Sequence, residues 1–181
     1  MAGTSPAMTI RGVWRKLRPM IRHAKPADHA AIREINIAAF GQPAEADLVE
    51  RLRADGDKVF ELVAEEDGAV VGHIFYSRLW ADSVHLYAAL APMAVRPDLQ
   101  KSGIGRKLVK ASIDTAREFG THAVIVLGHP AYYPKFGFTP EAAAKVKAPY
   151  SGSPAFMALE IEDGALAEPV LVAYPDAFSP T

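Results

Sequence analysis

The chain predicts a mixed α/β (α+β) fold in one domain, with a central sheet of about six to seven strands flanked by helices. Three observations carry this expectation. At 181 residues, half of them apolar, the chain suits a single substantial core. Segments with strand periodicity alternate with amphipathic helices in the order β-α-α-β-β-β-α-β-α-β-β, without an internal repeat or a linker. Between Met93 and Arg106, one apolar strand runs through a short glycine-containing loop into a long amphipathic helix.

The elements follow in order. Ile21 to Ala24 reads as a first strand. Pro26-Ala27-Asp28 opens a helix, with Asp28 as N-cap and Ala31, Ile32, Ile35, Ala38 and Ala39 as its apolar stripe. Gly41-Gln42-Pro43 breaks it, and a second helix places Ala44, Leu48, Val49 and Leu52 on one side. Val59 to Ala64 and Ala69 to Tyr76 flank Glu65 to Gly68, a hairpin signal. His85 to Val95 is the next strand, interrupted by Pro92, which cannot donate to a ladder and so marks a bulge or an end. The helix from Gly105 to Phe119 is the clearest element: Leu108, Val109, Ser112, Ile113, Ala116 and Phe119 share one face, and Gly120 stands at C′. Ala123 to Leu127 is a continuous apolar run, as expected of a central strand covered on both faces. A short helical turn then leads into Tyr132 to Phe138, and Phe156 to Ile161 and Val170 to Ala173 are the strands of the tail.

Composition excludes several classes. There is no cysteine, hence no disulfide, thiolate metal site or cysteine nucleophile, which fits a reducing, cytoplasmic interior. No run of eighteen apolar residues exists to span a membrane. The net charge of −1 is uneven. Six of the twenty basic residues and none of the acidic ones fall in residues 1–25, leaving fourteen basic against twenty-one acidic residues, a net −7, in the remainder. An acidic body argues against nucleic-acid binding. The leader over residues 1–19 lacks the apolar core of a secretory signal and reads as a disordered basic extension, with a single domain over 20–181. The six histidines form no metal-binding pattern.

The segment Gln100-Lys101-Ser102-Gly103-Ile104-Gly105-Arg106 is built to hold an anion. Such a loop points consecutive N–H groups, backed by a helix N-terminus, at one negative group. A Walker A loop needs four residues between its first glycine and Gly-Lys, whereas one residue separates Gly103 from Gly105. A dinucleotide fingerprint needs a third glycine where Leu108 stands. What remains, Gln-x-x-Gly-x-Gly entering a helix after a strand, resembles the acyl-CoA pyrophosphate loop of the GNAT superfamily of N-acetyltransferases. Tyr133-x-x-x-Gly137-Phe138 resembles a second motif of that family, and Leu127 to Phe138 is similar to a small, largely uncharacterised group within it.

The resemblance covers roughly residues 20–175 and implies an acetyl-CoA-dependent transfer of an acetyl group to a primary amine, by direct attack in a ternary complex. It implies a bulged, splayed central strand pair, with the pantetheine arm lying in the opening. Met93, Ala94 and Val95 would bind the arm and thioester, the Met93 N–H being the donor to the carbonyl. Main-chain groups of Lys101, Ser102, Gly103, Ile104, Gly105 and Arg106 would hold the pyrophosphate, with Gln100 setting the turn. Tyr133 would protonate the departing thiolate; Tyr132 is the adjacent alternative, one residue too far from Gly137. The asparagine many members carry seven residues before this tyrosine is replaced by Val126. No base is legible: Glu45, Asp47 and Glu50 lie where the fold builds its acceptor pocket but suit a solvated helix face, and His73, His85 and His129 are open. A non-catalytic acyl-CoA-binding module and a tRNA-directed toxin are the alternatives; Tyr133 argues against the first and the acidic body against the second. The acceptor is a small-molecule or peptide amine of open identity, no metal is expected, and a homodimer is compatible with the apolar tail.

Overall fold

The computed structural model describes residues 19–179. The elements are β1 Met20–His23, α1 His29–Phe40, α2 Ala44–Ala54, β2 Lys58–Glu66, β3 Ala69–Ala81, β4 Tyr87–Val95, α3 Ile104–Glu118, β5 Ala123–Leu127, β6 Val146–Lys147, β7 Phe156–Glu160 and β8 Val170–Ala173. The expected basic extension over residues 1–19 lies, except for Pro19, outside the described residues.

The strands form one mixed sheet of eight, more than the six to seven expected. Its main path runs β1-β2-β3-β4-β5-β7. β8 pairs with the end of β3 at Trp80 and Ala81, and the two-residue β6 pairs with β8. β6 is too short to show a period in sequence, which accounts for the difference. The hairpin joining β2 to β3 turns on Asp67 and Gly68, with φ of 52° and 78°. Both central residues are left-handed, as the tight turn that matches strand twist requires.

The sheet is covered on both faces. Leu108, Val109 and Ala116 of α3 pack on Leu62, Ile74, Tyr76, Val124 and Val126. On the opposite face Ala123 and Ile125 pack with Val146, Phe156, Val170 and Val172, and Phe75 packs with Val49 and Leu52 of α2. α3 meets β3 closely enough that a Cβ on Gly72 would stand 3.0 Å from Leu108 and 3.1 Å from Ile104.

Local expectations need correction. Ala38 and Ala44 are exposed, and Asn36 and Ala46 are buried in their place, because α1 and α2 present slightly rotated faces to the sheet. Asp28 precedes α1, but its carboxylate makes no cap bond to that helix. It accepts instead from the Lys25 N–H at 2.7 Å and from the Arg22 guanidinium, since a short 3-10 turn over Pro26–Asp28 intervenes. β4 begins at Tyr87 rather than His85, and α3 at Ile104 rather than Gly105.

Candidate active site

The glycine loop is anchored to the strand it leaves. After a 3-10 turn at Pro97–Leu99, the Gln100 side-chain amide donates to the Val95 carbonyl at 3.2 Å, and the Ser102 hydroxyl donates to Leu99 O at 2.6 Å. Lys101 and Gly103 take left-handed φ of 62° and 95°, turning the chain sharply into α3. Gly103 is the N-cap and has no side-chain oxygen to offer, so no side chain caps the helix. The N–H groups of the first turn are thereby left to an outside acceptor, and an anion is the acceptor the helix end favours.

Strand β4 is distorted just before this loop. Ile74 pairs with Met93 and Tyr76 with Leu90, so Ala91 and Pro92 together oppose Phe75: a bulge, with a cis peptide before Pro92. On its other edge β4 is parallel to β5 only from Tyr87/Ala123 to Ala89/Ile125. Beyond that point the two strands part, while β5 stays paired with β7 along its whole length. The Arg96 N–H donates to Val71 O on β3 at 2.9 Å. Because main-chain groups alternate sides along a strand, Val95 and Met93 turn theirs toward the edge that β5 has left.

Loop and opening share one groove of about 420 Å³, lined by Met93, Val95, Gln100, Lys101, Gly103, Gly105, Arg106 and Tyr132. Of the other expected donor-site residues, Ala94 is buried opposite His73 in the ladder, Ile104 is buried against Gly72, and Ser102 is spent on Leu99. The main chain of Ile104 and Ser102 is what remains to serve a ligand, while that of Ala94 faces β3. A larger cavity, about 660 Å³, lies between residues 147–150 and the C-terminal tail, around Tyr150, Tyr174 and Phe178. It contains none of the expected residues, and the smaller groove is where the anion site and the open strand edge coincide.

The adjacent tyrosines are placed differently. Tyr133 is 8 % exposed and packs edge-on to Phe138 at 5.7 Å and Tyr132 at 5.3 Å. Its ring occupies the space a side chain on Gly128 would need: a Cβ there would lie 2.2 Å from the ring. Burial raises its pKa, so the phenol keeps its proton at pH 7. Tyr132 is half-buried and forms a wall of the groove.

Among the candidate bases, Asp47 and Glu50 pair with Arg33 at 2.8 and 2.9 Å, and Glu45 meets Gln42. His85 stacks on His122 at 4.5 Å, and His129 Nδ1 accepts the Ala131 N–H. His73 is fully buried, one ring nitrogen against Glu61 at 3.2 Å and the other against Asn36 at 3.3 Å. Burial, only partly offset by Glu61, keeps its pKa low and the ring neutral. Glu61 is held at about 2: burial alone would raise it, but the hydrogen bonds from His73 and Arg53 win. Sequence reasoning missed this network, although an acid inside the apolar run of β2 is a signal of one. Among the described residues, no group of three or more His, Asp or Glu side chains could hold a metal ion.

The Acetyltransferase (GNAT) family model matches residues 29–138. The chain belongs to the GNAT family of N-acetyltransferases. Within that family, the uncharacterized N-acetyltransferase YjhQ of Escherichia coli is 40% identical over 131 residues, 68% of this chain and 72% of that protein. The uncharacterized N-acetyltransferase YhbS of Escherichia coli is 35% identical over 150 residues, 81% of this chain and 90% of that protein. The crystal structure of YhbS in complex with CoA superposes with a TM-score of 0.84 at 34% identity, covering 98% of this chain and 96% of that one. A GNAT acetyltransferase from Brucella melitensis, solved with acetyl-CoA, gives 0.71 at 32% identity over 89% and 98%. The eight-stranded open sheet with α3 against it is the GNAT fold. No described helix is long and apolar enough to cross a membrane.

Proposed function

We propose that the protein transfers the acetyl group of acetyl-CoA to a primary amine by direct attack, with both substrates bound together in the opening between β4 and β5. One observation carries the reading: β4 leaves β5 after Ala89, and the free stretch of β4 leads through the glycine loop into an uncapped helix N-terminus. The CoA complexes of YhbS and the Brucella enzyme support it by likeness. In this reading the first-turn amides of α3, with the loop Gln100 to Gly105 and the charge of Arg106, hold the pyrophosphate. The arm adds to the free edge of β4 as an extra strand would, along Met93, Ala94 and Val95. The Met93 N–H donates to the thioester carbonyl oxygen, where negative charge builds as the amine nitrogen attacks.

The new C–N bond forms as the C–S bond breaks, and the sulfur leaves with the electron pair. Tyr133 supplies its phenolic proton to that thiolate, and the amine's surplus proton passes to water in the opening. The acidic side chains of α2 are engaged in surface pairs and serve no base role here. The acceptor is a small amine or a peptide amine.

The test is a panel of amines assayed for CoA release, with Tyr133→Phe measured on every acceptor found. The variant is expected to lose about a hundredfold or more in kcat, the usual worth of a placed general acid, with the KM for acetyl-CoA held. Unchanged transfer at neutral pH would remove Tyr133 from the role. CoA binding with no transfer to any amine would argue for a non-catalytic acyl-CoA module.

A further inference from the structure

Tyr133 is the tyrosine that the motif spacing singles out, yet Tyr132 is the one on the groove wall. A Cβ built on Gly105 would stand 3.0 Å from the Tyr132 hydroxyl, 3.6 Å from the Met93 methyl and 3.7 Å from Val95. Gly105 therefore forms the floor of a narrow waist, with β4 on one side and the Tyr132 phenol on the other. Any ligand reaching from the loop to Met93 passes over this floor. Gly105 is also the second residue of α3, within the uncapped first turn. The Tyr132 hydroxyl thus borders N–H groups that no side chain caps. The Arg106 charge acts on the same phenol and partly offsets the rise in its pKa that burial causes.

Its ring is fixed edge-on between Tyr133 at 5.3 Å and Phe136 at 5.2 Å. By contrast, the hydroxyls of Tyr76 and Tyr87 are engaged inside the protein, with Ser112 and with Ala165 O. Helix amides, a guanidinium and a phenol O–H are all donors. Their convergence on one spot suits a multiply charged oxyanion better than a single amide carbonyl.

We infer that the Tyr132 hydroxyl donates a hydrogen bond to the pyrophosphate of the acyl-CoA, so that the adjacent tyrosines divide the work: Tyr132 binds the donor and Tyr133 protonates its sulfur. This rests on the acyl-CoA reading above. It adds a neutral side-chain donor to a site otherwise made of main-chain amides and the Arg106 charge.

The experiment is Tyr132→Phe, which keeps the ring and its packing, titrated calorimetrically with CoA and, by competition, with ADP. ADP carries the pyrophosphate and lacks the pantetheine arm. Loss of one charge-assisted hydrogen bond should weaken both ligands by the same factor, roughly tenfold or more, while Tyr133→Phe binds CoA as the parent does. Unchanged affinity for both ligands overturns the assignment. Weaker CoA with unchanged ADP overturns it too and moves the contact to the arm. Unchanged binding with a lowered kcat makes Tyr132 the proton donor instead. A parent protein that binds neither ligand overturns the acyl-CoA reading itself, and this assignment with it.

Discussion

Gly128→Ala isolates the placement of Tyr133 from its chemistry. Gly128 is not among the glycines with left-handed φ, so alanine suits its backbone and the whole effect falls on the neighbouring ring. The new methyl would lie 2.2 Å from one ring carbon and 2.5 Å from the next. To regain ordinary contact at 3.4 Å the ring must retreat by about 1.2 Å. Overpacking of this kind costs about 1–3 kcal/mol, within reach of a folded variant that a melting curve can verify. A displacement near 1 Å at a reacting group costs on the order of a hundredfold in rate. The expected result is therefore a kcat about a hundredfold below the parent, with CoA affinity kept. CoA release can be followed with a thiol reagent, because the chain has no cysteine of its own to react. The control is the double variant with Tyr133→Phe. Once the hydroxyl is gone its position no longer matters, so the second change should add little. A Gly128→Ala enzyme within threefold of the parent, or a double variant a hundredfold below Tyr133→Phe, would refute the reasoning.

Three further outcomes are expected. Gly103→Glu should abolish measurable CoA binding in a calorimeter while the protein stays folded, because it sets a carboxylate and a left-handed φ of 95° at the anion site. Gly72→Ala should lower Tm by an amount equivalent to about 1–3 kcal/mol, as the methyl meets Leu108 and Ile104 at 3.0 and 3.1 Å; an unchanged Tm would mean that α3 shifts freely. The Glu61 network makes stability depend on pH. With its carboxyl at about 2 in the fold against an ordinary 4.5, the unfolded chain takes up the proton first, so on the order of 3 kcal/mol is present above pH 4.5 and is lost as pH falls toward 2. The depressed His73 acts in the same direction from 6.5 downward. Glu61→Gln should lower Tm at pH 7 and flatten its fall below 4.5, and a variant with the parent's slope there would show that the network does not carry it.

Much of this was legible in sequence, and the reasons differ by element. The run from Ala123 to Leu127 is β5 residue for residue, because a strand buried on both faces has nowhere to place a polar side chain. Asp67-Gly68 announced its hairpin because few other residues tolerate that backbone. Pro92 marked the bulge, since a residue without an N–H interrupts a ladder. What it could not reveal is that Ala91 shares the bulge or that β5 leaves after Ala89; register is a property of two strands. Asn36 escaped notice because burial there depends on meeting His73 from another element. The space beneath Tyr133 is likewise invisible in one dimension: Gly128 reads as a turn residue, and only packing shows that the ring needs its missing side chain.

The same comparison explains why the donor is better specified than the acceptor. Exposed strand edges are a liability that folds usually cover. Here β5 is closed on its far side by β7, and β4 on its near side by β3, yet the edge between them is left open beyond Ala89. Gln100 covers one acceptor on it, the Val95 carbonyl, and Pro92 brings no donor. The main chain of Met93 still faces the opening. An extended ligand with its own amide groups completes such an edge, and an anion completes the uncapped helix beside it. Both needs are stated in main-chain geometry, which a few glycines and one proline are enough to encode. In the proposed function an acceptor amine would instead be met by side chains, such as those on the outer faces of α1 and α2. Those positions are half-exposed, and their identity can change without disturbing the sheet. Selection for a new amine would therefore leave the glycines, Pro92 and Tyr133 in place while rewriting the helix faces.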